Sequence, residues 1–125
     1  TIDDDPPQAI VLSDLMRTTG LSEATIGAIL SRRCESGDLW KITTTRYMLR
    51  HHVSRLAALC ATIDSASPDG FTAAQLRDAS GIGRNFIIQL LEFFDRIGAT
   101  RRHGESRKMR ADWQSVVGDA EPGQS

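Results

Sequence analysis

Adding 61 to a residue number in the first half of this chain lands on a counterpart in the second. Gly20 maps onto Gly81, Leu21 onto Ile82, Ile26 onto Ile87, Ile29 onto Leu90, Leu30 onto Leu91 and Gly37 onto Gly98, without a gap. A sequence that repeats both its apolar positions and its glycines must repeat a supersecondary unit, which sharply narrows the folds open to it. Each copy reads as a short helix, a tight turn, a longer helix, a glycine stop and a hairpin.

Local signals place these elements. Thr1 to Gln8, with three acids and two prolines, reads as a flexible N-terminal segment. Ile10, Leu12, Leu15 and Met16 suggest a short helix before Gly20, and Ser22 is placed to cap the next. Ile26, Ile29, Leu30 and Cys34 form the apolar stripe of that second helix. Asp38 to Arg50 reads as two strands around a threonine-rich turn, and Val53 to Ile63 as a connecting helix. Thr72 and Gln75 form a capping box, with Phe71 and Leu76 placed as its hydrophobic staple. Arg84 to Ile97 is an amphipathic helix closed by Gly98, followed by a hairpin in Ala99 to Arg110. Two helices joined by a turn and followed by a hairpin make the winged helix-turn-helix pattern, whose second helix does the reading. The expected architecture is mainly α with small β-hairpin wings: one winged-helix domain over 9–50, a second over 51–112, and a flexible tail over 113–125.

The repeat supplies an internal control, because each position can be compared with its counterpart. The first long helix starts with Glu23-Ala24, the second with Arg84-Asn85. An acid suits a helix N-terminus, whereas an arginine there costs up to about 0.3–1 kcal/mol. Arg84 is better explained by an anionic ligand meeting both its guanidinium and the free N–H groups of the first turn. The hairpins differ in the same direction. The first tip is Thr43-Thr44-Thr45, while the second hairpin carries Arg101, Arg102, His103, Arg107, Lys108 and Arg110 against the single acid Glu105, in a chain of net charge -1. Arg77 either flanks the same surface or is an exposed partner of Asp78. Phe86 is either a core aromatic or a stacking face for an unpaired base. With about five phosphates neutralised, log affinity should fall against log salt with a slope of roughly −3.5 to −4.5.

Other chemistries find no support. Cys34 and Cys60 lie on apolar helical faces with no CxxC or Cys/His spacing, so no zinc is expected, and two such thiols suit a reducing, cytoplasmic setting. His51, His52 and His103 lack partners for a metal site or catalytic dyad, and no phosphate-binding GxxxxGK[ST] loop occurs. No apolar run reaches the roughly 18 residues that span a bilayer. The chain reads as a monomeric, non-catalytic binding protein without cofactor. Beginning at Thr1 rather than methionine, it is expected to be a fragment of something longer.

The residues from Phe71 to Arg110 resemble the C-terminal end of the bacterial selenocysteine-specific translation elongation factors (SelB). The family pattern falls here on Arg77-Asp78-Ala79, Arg84-Asn85-Phe86, Leu90 to Asp95 and Thr100-Arg101-Arg102. The first half resembles the preceding winged-helix domain through Leu21-Ser22, Gly37-Asp38-Leu39 and Tyr47. The resemblance implies the messenger-RNA-binding arm of such a factor, gripping the selenocysteine insertion (SECIS) hairpin. Arg84 and Asn85 would meet phosphates or a looped-out base, and Arg101, Arg102, Arg107 and Lys108 the backbone. Asn85 departs from the family's usual lysine, and Ile82-Gly83 from its Thr-Ser. GTP binding, the ribosome and selenocysteyl-tRNA would belong to the full-length factor. Two other readings fit the same fold: a DNA-binding transcription regulator with Arg84 to Gln89 in a major groove, and a protein-interaction adaptor.

Overall fold

In a computed structural model, which describes residues 9–118, the elements run in the order β1 (Ala9–Val11), α1 (Leu12–Thr19), α2 (Glu23–Glu35), β2 (Leu39–Lys41), β3 (Arg46–Leu49), α3 (Arg50–Ser65), α4 (Ala73–Ser80), α5 (Arg84–Ile97), β4 (Thr100–His103), β5 (Ser106–Met109) and α6 (Trp113–Val117). The N-terminal segment 1–8 and residues 119–125 of the expected tail lie outside the described residues.

The repeat is present in three dimensions as two winged helices. Both helix-turn-helix turns pivot on a left-handed glycine, Gly20 at φ 75° and Gly81 at φ 74°, a conformation that costs a side-chain-bearing residue energy but not glycine. Ser22 caps α2 by accepting a hydrogen bond from the Thr25 amide at 3.2 Å. At α4 the Thr72–Gln75 capping box is complete in both directions, and Phe71 and Leu76 are both fully buried in one cluster.

The first wing is a three-stranded antiparallel sheet in the order β1-β3-β2, with Ile10 opposite Tyr47 and Lys41 opposite Tyr47. Strand β1 departs from the helix expected there, which starts only at Leu12. The second wing, β4-β5, gains the same third strand in abbreviated form. Phe71 bridges Arg107 through paired backbone hydrogen bonds of 2.8 Å.

Two apolar clusters fill the interior. The smaller, in the first domain, gathers Leu12, Ile26, Leu30, Leu39 and Tyr47. Ile29, expected in this stripe, is instead 50% exposed. Its counterpart Leu90 shares a cluster with Val53, Ala57 and Cys60 of α3, whereas among the described residues no helix precedes the first copy to cover Ile29. The larger cluster crosses the boundary between the copies. It includes Ile42 and Met48 of the first wing beside the residues of α3, α4 and α5.

Polar contacts reinforce this seam. Trp40 meets Phe93 edge-on at 5.4 Å and donates its indole N–H to the Val117 carbonyl, while Arg96 donates to the Ile42 carbonyl at 2.9 Å. Part of the expected flexible tail is therefore structural: α6 packs on α3, with Val117 fully buried and Ser54 donating to the Gly118 carbonyl at 2.7 Å.

Candidate nucleic-acid interface

Helix α5 presents an unusual N-terminus for its sequence context. Its N-cap is Gly83, which provides no side-chain hydrogen bond, and its first turn contains no acid. In α2 the matching positions are Ser22, which caps, and Glu23. The first N–H groups of a helix need partners from outside it, and here the first helical residue is the exposed cation Arg84, with exposed Asn85 beside it. The two copies share a fold, so this end of α5 is a local choice rather than a demand of the architecture.

The register of the second wing divides its charges. Residues directly opposite in an antiparallel pair point to the same face. Thr100–Met109 and Arg102–Arg107 therefore share one face, and Arg101–Lys108 and His103–Ser106 the other. The first face turns toward α5: the Thr100 hydroxyl donates to Asp95, and Arg107 reaches the same carboxylate. Toward the tip of that face stands Arg102, exposed, its Nε donating to the Gly104 carbonyl at 3.0 Å. On the opposite face Arg101, His103 and Lys108 line a shallow depression of about 440 Å³, which ends against Met109 and Arg110 at the base of the wing.

Two of the sequence-derived contacts need correction. Arg107 is not a surface cation. Its side chain is 8% exposed and grips Asp95 with two-pronged geometry, Nε to Oδ2 at 3.1 Å and Nη2 to Oδ2 at 3.0 Å, with Nε also 3.2 Å from Oδ1. Its guanidinium faces inward far enough to lower the Cys60 thiol's pKa, although burial dominates and pushes that thiol up to about 12. Phe86 is the second correction. It is 1% exposed in the cluster with Leu76 and Leu90, so neither face of its ring is open to a base.

Other residues are intermediate cases. Lys108 donates to the Pro68 carbonyl and stands 3.6 Å from Asp64, which ties its ammonium toward the end of α3 while its side chain remains 44% exposed. Arg77, on α4, is exposed with Asp78 beside it at 3.4 Å. The structure thus leaves Arg84, Asn85, Arg101, Arg102 and His103 outward. Sequence reasoning missed Asp95, which organises the wing from the last turn of α5. The available signal was its counterpart, Cys34, on the apolar stripe of α2.

Comparison with known proteins gives a consistent picture. Residues 65–109 match a family model described as elongation factor SelB, winged helix. The chain is 36% identical over 98 residues to the selenocysteine-specific elongation factor of Escherichia coli K12, covering 78% of this chain and 16% of that protein. With the factor of Haemophilus influenzae it is 27% identical over 103 residues, 82% of this chain and 16% of that protein. The chain therefore spans about one-sixth of the length of these relatives. Among solved structures, it superimposes on the mRNA-binding domain of elongation factor SelB from E. coli in complex with SECIS RNA, with a TM-score of 0.77 and 31% identity over 86% of each chain.

Proposed function

The chain belongs to the elongation factor SelB family, and from that premise we propose that it binds a SECIS-type messenger-RNA hairpin as the RNA-gripping arm of a selenocysteine-specific elongation factor. One observation carries the reading. The exposed Arg84 at an uncapped, acid-free helix start, with a basic wing in the same domain, occurs only in the second of two copies of one fold. The similarity to a domain solved with SECIS RNA supports RNA as the anion.

In this reading a backbone phosphate sits at the start of α5, accepting from N–H groups of the first turn and from the Arg84 guanidinium. The Asn85 amide offers a donor and an acceptor to the edge of an unpaired base. Exposed Arg102 and Arg101 take phosphates on either side of the wing, with His103 near its tip and Arg77 flanking. RNA is favoured over duplex DNA because the deep A-form groove excludes a helix, so an RNA-binding helix of this kind reads a bulge or loop through its tip. Nothing in this division of labour requires bond making. GTP hydrolysis, selenocysteyl-tRNA and ribosome contacts are assigned to the remainder of the longer factor, and the arm is read as a monomer working in the cytoplasm.

The test is a titration against a bulged RNA hairpin, the same hairpin without its bulge, and duplex DNA. Preference for the bulged hairpin, weakened about tenfold or more by Arg84→Ala and unaffected by Glu23→Ala, is expected. Equal affinity for all three ligands refutes specific hairpin recognition. Preference for a palindromic duplex supports a transcription regulator instead, and binding to none supports an adaptor.

A further inference from the structure

The joint between α5 and its wing is built differently in the two copies. In the first domain three positions meet there: Cys34 of α2, Leu39 of β2 and Tyr47 of β3, all packed in one apolar cluster. Their counterparts follow from the repeat and the strand registers. Cys34 and Leu39 shift by 61 to Asp95 and Thr100. Tyr47 corresponds to Arg107, since Tyr47 pairs with Lys41 and Ile10 as Arg107 pairs with Arg102 and Phe71. The first hairpin loop is one residue longer, which accounts for the shift of 60 at this position.

An apolar trio has thus been replaced, at equivalent places in the same fold, by an acid, a hydroxyl and an arginine. Thr100 and Arg107 are 4% and 7% exposed and the Asp95 side chain 26%, so the exchange lies within the joint and not on the open surface. It is a hydrogen-bonded ion pair in a joint that the fold can fill with apolar side chains. Burying such a pair is rarely a source of stability, because desolvation offsets the attraction, and apolar replacements of similar volume are often neutral or stabilising. What the pair does supply is direction. A guanidinium held to a carboxylate through both its Nε and Nη2 fixes distance and angle, whereas an apolar contact allows sliding.

That direction bears on the RNA-binding face. Asp95 and Arg84 are eleven residues apart on α5, about three turns, and so lie within about 20° of one helix face. Arg102 is on the wing face that Arg107 and Thr100 turn toward α5. The carboxylate therefore anchors the wing along the same side of the helix that carries Arg84 at its start. We propose that the Asp95–Thr100–Arg107 clasp is the positioning device of this face, holding the wing so that Arg102 and Arg84 address one ligand together. Arg107 is then a positioning residue, not a phosphate contact. The proposal rests on the RNA-binding reading above.

A graft supplies the test, because the chain already contains an apolar solution to the same joint. The triple variant Asp95→Cys, Thr100→Leu, Arg107→Tyr carries the first copy's residues, and Arg107→Lys is a milder variant that keeps the charge but loses the planar fork. Hairpin affinity is measured across salt, with amide hydrogen exchange of 101–106 followed without RNA. Both variants are expected to keep the cooperative unfolding transition, to bind the hairpin about tenfold more weakly, and to leave the salt slope unchanged. Wing amides should exchange faster in both. A graft that binds like the wild type overturns the proposal. So does a salt slope shallower by about 0.7–0.9 in the graft while wing exchange stays unchanged, the mark of a phosphate contact made by Arg107 itself. Should the graft fail to fold, Arg107→Lys decides by the same criteria. If the wild type does not bind the hairpin, the RNA reading fails, and unchanged wing exchange then overturns the clasp on its own.

Discussion

Replacing Phe86 separates packing from base recognition, because the two roles predict opposite outcomes for stability and affinity. At 1% exposure the ring is buried in the larger apolar cluster that joins the two copies. Truncation to alanine there costs about 3–5 kcal/mol through lost transfer energy and the cavity left behind. Domains of this kind are stable by only about 5–15 kcal/mol, so Phe86→Ala can unfold a large fraction of the protein and lose RNA binding for that reason alone. Phe86→Leu is the informative change. It retains most of the apolar volume, costs about 1–1.5 kcal/mol and leaves the domain folded. Urea unfolding gives the stability change, and fluorescence anisotropy with a labelled bulged hairpin gives the affinity. A core role predicts a lowered unfolding midpoint with affinity unchanged within about twofold. A stacking role predicts a loss of about 1–3 kcal/mol in binding, equivalent to about 5- to 150-fold. A folded Phe86→Leu protein with affinity reduced by that amount refutes the burial argument.

Further perturbations test other joints. Thr72→Ala removes the α4 capping box and should cost about 1 kcal/mol, lowering the calorimetric midpoint by about 3–5 °C. Gly70→Ala should cost at least about 2 kcal/mol and displace the second wing, since φ is 97° and a Cβ would lie 2.6 Å from the Arg107 carbonyl oxygen; wing amide exchange in the variant is the readout. Cys60 should resist alkylation in the folded protein at pH 8, while half-exposed Cys34 reacts first. Because burial raises the Cys60 pKa from 9.0 to about 12, its thiol contribution to stability is intact below pH 9.0 and is lost as pH rises toward about 12, a trend that alkaline unfolding curves can check.

The elements legible in the sequence were those with local signatures. Ser22, the Thr72–Gln75 box and the left-handed glycines Gly20 and Gly81 mark helix ends through contacts a few residues apart. The apolar face of α5 is legible from its 3.6-residue spacing. Elements that exist through distant partners were not. Strand β1 is three residues long and is held by pairing with β3, and α6 is held by the burial of Val117 against a helix far back in the chain. Ile29 fits a helical stripe, yet what covers a stripe is a tertiary question.

At the site, the exposed positions of Arg84, Arg101 and Arg102 follow from a helix start and a hairpin, both local features. The fate of Arg107 does not. In a run of cations it reads as one more surface charge, and only the strand register, set against the first copy, pairs it with Asp95.

Counting phosphate contacts tests the proposed interface most directly. With Arg107 buried in its ion pair, Lys108 drawn toward Asp64 and Arg110 beside Asp112 at the base of the wing, the cations left for phosphates at the helix start and wing are Arg84, Arg101 and Arg102. Three contacts give a slope of log affinity against log salt of about −2.1 to −2.7 for the bulged hairpin, shallower than the full wing charge implies. Arg84→Ala should reduce its magnitude by about 0.7–0.9. A slope near zero contradicts nucleic-acid binding through this face, and one of about −4 contradicts the burial of Arg107 and the tethering of Lys108.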